Sequence, residues 1–209
     1  MKTQIGEKFC QKFNLNFANL ASSNVRVDYA DGMKNSEAGF STRAIHEGYD
    51  ALDYHGALNP PVFLTSTYAF ERSETGSDRF AGAADGYIYG RVGNPTVTVL
   101  EKRMASLEGG EAAMATSSGM GALTAVLWTL LKAGDEIVAD KTLYGCTFAL
   151  LHHQLERFGI KTRFVDLTDP ANLSNVLTSR CRMVIAETPS NPNMRLVDIA
   201  ALADVCRSK

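Results

Sequence analysis

The chain has 209 residues, of which 45% are hydrophobic and 21% charged, with a formal net charge of −2 at pH 7. That length accommodates a sizeable core in one domain or two small ones. The composition excludes a disordered chain and lacks the basic excess that marks a nucleic-acid binder. The four cysteines, Cys10, Cys146, Cys181 and Cys206, show no CxxC spacing. They suggest neither a zinc cluster nor a disulfide framework, and they fit reduced thiols in a cytosol. The apolar run ALTAVLWTLL is soon closed by Lys132 and Gly134, short of a membrane span.

Residues 1–32 mix polar and apolar residues with acidic ones throughout, a poor match to a secretory signal. The globular part is expected to start near a second methionine, Met33. From Asn94 the punctuation becomes regular. Asn94 and Pro95 form a cap and first-turn pair, and VTVLEKRMASLE continues at helical spacing until Gly109 and Gly110. Residues 111–118, EAAMATSS, read as a short buried strand. Residues 118–134 read as a helix, with Lys132 near its C-terminus where the macrodipole favours a cation. EIVAD (136–140) reads as a strand and 143–159 as a helix. Strand IKTRFVD (160–166), helix PANLSNVL (170–177), strand RMVIAET (182–188) and helix VDIAALADVCRS (197–208) follow, with Asp169 and Asp198 as caps. Strand and helix units alternating at this length predict an α/β fold with a mostly parallel sheet and helices on both faces. Ligands of such folds bind beyond the carboxyl ends of the strands.

Four stretches could carry chemistry. In ATSSGMGAL a strand is expected to run into a helix through Ser118, Gly119, Met120 and Gly121, so unpaired N–H groups stand open to an anion; ordinary capping explains the same residues. In GYIYGRVGNPT, Tyr89 and Arg91 share one side if the segment is extended, and a phenol and a guanidinium could converge on one phosphate. The alternative is a surface arginine beside a strand aromatic. In TLYGCT, Tyr144 stands at a strand exit where a flat ring can stack on a flat ligand. Cys146 has no evident base, since His152 and His153 are read as packing or solvent residues, so a small buried hydrophobe is the plainer reading of that thiol. In AETPSNPNM, Glu187 and Asn191 stand at a strand's carboxyl end, and Asn191 before Pro192 is equally a turn residue.

Together YIYGRVGNPT, SSGMG, TLYGCT and ETPSNPN, in this order and spacing, resemble the pyridoxal-phosphate enzymes of cysteine and methionine metabolism. The likeness runs from about Gly39 to the last residue and takes in STRAIHEGYD and NPPVFLTSTYAF. It implies the large domain of a fold-type I, aspartate aminotransferase-like protein, here incomplete because family members are far longer. By that likeness residues 1–38 are a leader, 39–94 an arm contributing to the neighbouring subunit's site, and 95–209 the first part of the cofactor-binding domain. The cofactor implied is pyridoxal 5'-phosphate. Tyr89 and Arg91 would hold its phosphate across a subunit boundary, and Gly119 and Met120 would offer backbone N–H groups to the phosphate in their own subunit. Tyr144 would stack on the ring and move a proton to the leaving thiol, with a pKa lowered by cations. Asn191 would bond the phenolic oxygen, with Glu187 behind it. Cys146 would face the sulfur end of the substrate and tune specificity without attacking it.

The activity implied is carbon–sulfur lyase chemistry on a sulfur amino acid, with α,γ-elimination of methionine foremost. Cystathionine synthesis or cleavage, O-acetylhomoserine sulfhydrylation, and a non-catalytic fragment are the alternatives. The likeness further implies a cytoplasmic homo-oligomer built as a dimer of dimers, or a partner supplying the missing half, with no nucleic acid and no membrane involved. None of the lysines stands in the family's Ser-x-Thr-Lys setting, so the covalent anchor is expected outside this chain and the chain alone is expected to be inactive.

Overall fold

The computed structural model describes residues 38–208. The leader expected over 1–38 therefore lies outside the described residues except for Ala38, and Cys10 lies outside them too. The described residues fall into two compact units that divide between Ala115 and Thr116.

In the first unit the described helices are α1 (Phe40–His46), α2 (Ser73–Phe80) and α3 (Pro95–Glu108). The start of α3 is fixed as its sequence dictates. The Asn94 side chain accepts the Thr96 N–H at 2.9 Å, Pro95 occupies the first turn, and Gly109 closes the helix at a φ of 65°. The same cap organises the segment before it. Asn94 Nδ2 donates to the Phe63 carbonyl at 2.9 Å, and the Thr96 hydroxyl accepts the Phe63 N–H at 2.9 Å. Arg43 of α1 donates to the Ser106 carbonyl, and Arg103 donates to the Glu47 carbonyl at 3.1 Å, which ties α1 to α3. Residues 111–118, expected as a short buried strand, have no ladder partner and are mostly exposed. Their Ala, Met and Ser content has little β preference, and the Ala115 N–H goes to the Glu101 carboxylate at 2.8 Å instead of a neighbouring strand.

The second unit contains the parallel sheet. Strand β1 (Glu136–Asp140) lies between β2 (Lys161–Val165) and β3 (Cys181–Ile185), and both pairings are parallel. All five residues of β1 are buried. Strand alternation sends Ile137 and Ala139 to one face, where Leu127 and Leu131 from α4 (Gly119–Leu130) and its end join Leu151 and Leu155. Val138 faces the other way, into Leu173 of α6 (Pro170–Val176) and Leu202 of α7 (Ile199–Arg207). Asp169 and Asp198 cap α6 and α7, accepting the Ala171 and Ala201 N–H groups at 2.9 Å each. The helix expected over 143–159 is less uniform: α5 (Gly145–Ala149) passes into a π turn, Leu150–Gln154, and a 3₁₀ turn, Leu155–Phe158. Leu151 and Leu155 keep their buried side throughout, so packing is maintained while the hydrogen-bond spacing changes.

The amino end of β1 carries a buried acid, Glu136. It accepts from the Thr178 hydroxyl at 2.8 Å and pairs with Arg180 at 2.5 Å and Arg163 at 3.2 Å. The Thr178 bond first, and then the two guanidinium groups, hold its pKa below the ordinary value against the opposing effect of burial. A carboxylate with a lowered native pKa contributes stability above its unfolded pKa of about 4.3 and loses that contribution as pH falls through the native value. Glu136→Gln is therefore expected to lower Tm by several degrees at pH 7, with the difference from wild type shrinking as thermal melts are taken to more acid pH. Leu127→Ala, in the core beneath β1, is expected to cost about 2–5 kcal/mol in denaturant unfolding. Leu100→Ala on the exposed side of α3 should stay within about 0.5 kcal/mol.

Candidate functional site

The strand order β2-β1-β3 means that the chain leaves β1 toward one side and later returns to its other side. In parallel α/β sheets that reversal opens a crevice beyond the strands' carboxyl ends. A cleft of about 510 Å³ is found in the second unit, lined by Ser118, Gly119, Met120, Leu123, Tyr144, Thr147, Glu187 and Asn191. Three stretches singled out in the sequence meet there: the start of α4, the turn after β1 and the loop after β3.

At the start of α4 the Ser118 side chain accepts the Gly121 N–H at 3.0 Å and the Ser118 carbonyl accepts the Ala122 N–H at 3.0 Å. The N–H groups of Gly119 and Met120 precede the helix's own bonding pattern and carry the positive end of its dipole. A side chain at Gly119 would meet nothing within 4 Å, so its position is open space beside those donors. Open N–H groups at a helix start favour an anion there.

Tyr144 is half-exposed. Its backbone N–H donates to both oxygens of Glu187 at 2.9 Å each, which joins the turn after β1 to the residue closing β3's exit. The phenol pKa is raised, through a hydrogen bond with the Cys146 side chain first, the negative charge of its thiolate form second and burial third. This corrects the expectation that cations lower it.

Cys146 is exposed and lies outside the residues lining the cleft. His152 and His153 stand in an aromatic group with Phe148 and Phe164, with ring centroids 5.2 Å apart for Phe148 and His152. Lys141 pairs with Asp166 at 2.7 Å.

Tyr89 and Arg91 belong to the first unit. Tyr89 forms an isolated antiparallel bridge with Thr67, and the backbone then turns, with the Val92 and Gly93 N–H groups returning to the Tyr89 carbonyl at 2.8 and 3.0 Å. The two side chains come together because of that turn and not because the segment is extended. The Arg91 guanidinium carbon stands 5.4 Å from the Tyr89 ring centroid, and both residues are exposed.

Leu123 and Thr147 were not singled out in the sequence. Thr147 lies three residues beyond Tyr144, and helical spacing from that tyrosine was the available signal. No described helix is long and apolar enough to cross a membrane. Among the described residues no group of three or more His, Cys, Asp or Glu side chains is placed to hold a metal ion.

In the second unit a helix start and an aromatic residue meet at the exits of a parallel sheet, and the relatives of the chain make this a fold-type I, pyridoxal-phosphate-dependent architecture. Residues 41–209 match the family model described as Cys/Met metabolism PLP-dependent enzyme, and the chain belongs to that family. It is 54% identical over 175 residues to the L-methionine gamma-lyase of Pseudomonas deceptionensis, a match covering 84% of this chain and 44% of that protein. The O-acetyl-L-homoserine sulfhydrylase of Leptospira meyeri is 40% identical over 166 residues, covering 79% of this chain and 38% of the relative. A solved structure of a putative O-acetylhomoserine (thiol)-lyase from Campylobacter jejuni, with N'-pyridoxyl-lysine-5'-monophosphate, matches with a TM-score of 0.77 and 31% identity over 82% of this chain and 42% of that one. The chain thus spans less than half the length of the relatives it matches.

The Tyr144 titration gives a direct check on this geometry. Replacing Cys146 by alanine should bring the Tyr144 phenol down toward the ordinary tyrosine pKa of about 10, read from the ring carbon shift of labelled tyrosine. An unchanged value would remove the thiol as the cause.

Proposed function

We propose that this sequence is the coenzyme-binding part of a pyridoxal-phosphate-dependent carbon–sulfur lyase that eliminates methanethiol from L-methionine, leaving ammonia and 2-oxobutanoate. The observation that carries the reading is the cleft, which the first residues of α4, Tyr144 and Asn191 line together. The identity of 54% with an L-methionine gamma-lyase, against 40% with a sulfhydrylase, supports the choice of reaction.

The residues divide the work. Gly119 and Met120 bind the phosphate through backbone N–H groups, at a point where small residues admit it closely. Tyr144 would stack its ring on the coenzyme when it is bound and would hold its hydroxyl proton for a leaving thiolate. Glu187 orients Tyr144 by accepting its backbone N–H, and Asn191, in the cleft lining, would supply a hydrogen bond to the coenzyme's phenolic oxygen. Cys146, the neighbour that raises the Tyr144 pKa, influences the same proton without lining the cleft itself. When bound, pyridoxal phosphate supplies an electron sink that stabilises negative charge beside the amino-acid carbon. Residues 39–94 act as an arm that brings Tyr89 and Arg91 to the phosphate of a neighbouring subunit, and the assembly is a homo-oligomer. The lysine that anchors the coenzyme is supplied from outside these residues.

Equilibrium dialysis of the chain with pyridoxal phosphate is expected to show saturable binding that Tyr144→Ala weakens by up to about tenfold. In a protein carrying this sequence at the relatives' full length, methanethiol should be released from L-methionine. Condensation of O-acetylhomoserine with sulfide in its place would transfer the reading to a sulfhydrylase, and binding that no cleft substitution alters would end it.

A further inference from the structure

Arg195 reaches every strand exit in the second unit, and no step described so far uses it. Its backbone brackets Ser190, a residue with 0% exposure: the Arg195 N–H donates to the Ser190 hydroxyl at 3.1 Å, and the Arg195 carbonyl accepts the Ser190 N–H at 2.9 Å. Asn191 is the next residue. The Arg195 side chain, 21% exposed, leaves that loop and crosses the sheet edge. It donates to the Thr142 hydroxyl, two residues before Tyr144, and to the Asp166 carboxylate just past β2, and it stands 3.4 Å from the Thr168 hydroxyl.

Beneath it lies Asp140, the last residue of β1, with 0% exposure. One Asp140 oxygen accepts the Leu167 N–H at 3.0 Å; the other has no hydrogen-bond partner and faces Arg195 Nη1 at 3.9 Å. A buried carboxylate is costly unless a cation answers it. Lys141, 2.7 Å from Asp166, is the second cation, so two acids and two bases are matched at one edge. Lys141 first, then Thr168, with Arg195 contributing, hold the Asp166 carboxyl well below the usual range.

The loop after β3 is thus tied to the turn after β1 at both ends. Glu187 holds Tyr144 where the loop begins, and Arg195 holds Thr142 where it ends. Asn191 lies between the two ties. The phosphate cradle at Ser118–Met120 shares none of these bonds.

We propose that Arg195 is a positioning residue for the cleft, fixing Asn191 and Tyr144 as one rigid edge for the coenzyme's ring while the phosphate cradle stays independent of it. The proposal rests on the coenzyme reading above. Arginine suits the task because its planar fork can engage a hydroxyl and a carboxylate in fixed directions, which a lysine ammonium does not match.

The test uses the chain with three changes: Arg195→Lys, Arg195→Met, and Arg195→Met paired with Asp140→Asn. The paired variant removes the buried charge that the single methionine substitution would strand, so that it folds. Two ligands are titrated, pyridoxamine 5'-phosphate, which has no aldehyde to react with lysines, and inorganic phosphate, followed by the Gly119 amide shift. The paired variant is expected to bind pyridoxamine phosphate on the order of tenfold more weakly, with phosphate affinity unchanged and Arg195→Lys recovering part of the loss. Wild-type affinity for pyridoxamine phosphate in the paired variant overturns the proposal. Equal losses for both ligands overturn it too, by reducing Arg195 to a general structural role. A wild-type chain that binds neither ligand defeats the coenzyme reading itself, and this proposal with it.

Discussion

The pairing of β1 with a parallel neighbour on each side is the constraint on which the second unit depends. Parallel partners bring all three carboxyl ends to one edge, and burial of the whole strand leaves no freedom to slide, since a one-residue slip would exchange the residues facing the two cores. Ile137 and Ala139 then belong to one helical layer and Val138 to the other. With register fixed, the positions of Thr142, Asp166 and Glu187 follow from how far each lies past its strand. The cleft is in this sense a by-product of the core.

The polar groups at the two ends of β1 differ in kind. Glu136 at the amino end is answered by exposed arginines and a hydroxyl, an arrangement that locks the strand where no ligand is expected. Asp140 at the carboxyl end is left with an oxygen lacking a hydrogen bond and a guanidinium nearby, so its partner comes from a loop and not from a strand. Buried charge is thus used once to hold the sheet together and once to hold a loop to it.

Much of the fold was legible because its signals are local. Asn94 with Pro95, Asp169 with Pro170, and Asp198 each announce a helix start through one side chain and one N–H a few residues away, and all three do so in the structure. EIVAD is legible because a short apolar run between Gly134 and Lys141 has few alternatives. What failed depended on how the chain folds around those residues. EAAMATSS has the length of a strand but nothing to pair with among the described residues. The proximity of Tyr89 and Arg91 comes from a turn, which an extended reading of the segment does not supply. The phenol of Tyr144 responds to a thiol two residues away, where family likeness had suggested cations. Arg195 was unreadable because its contacts run to residues 29 and 53 positions earlier.

The sole tryptophan of the sequence, Trp128, is on α4, the helix whose first residues form the cradle, and its indole meets the Phe158 ring edge-on at 4.9 Å. Half of that side chain is open to water. Light emitted by this one fluorophore therefore originates from the far end of the helix that would grip a phosphate, giving the protein an intrinsic optical gauge on the same rod as its binding groups.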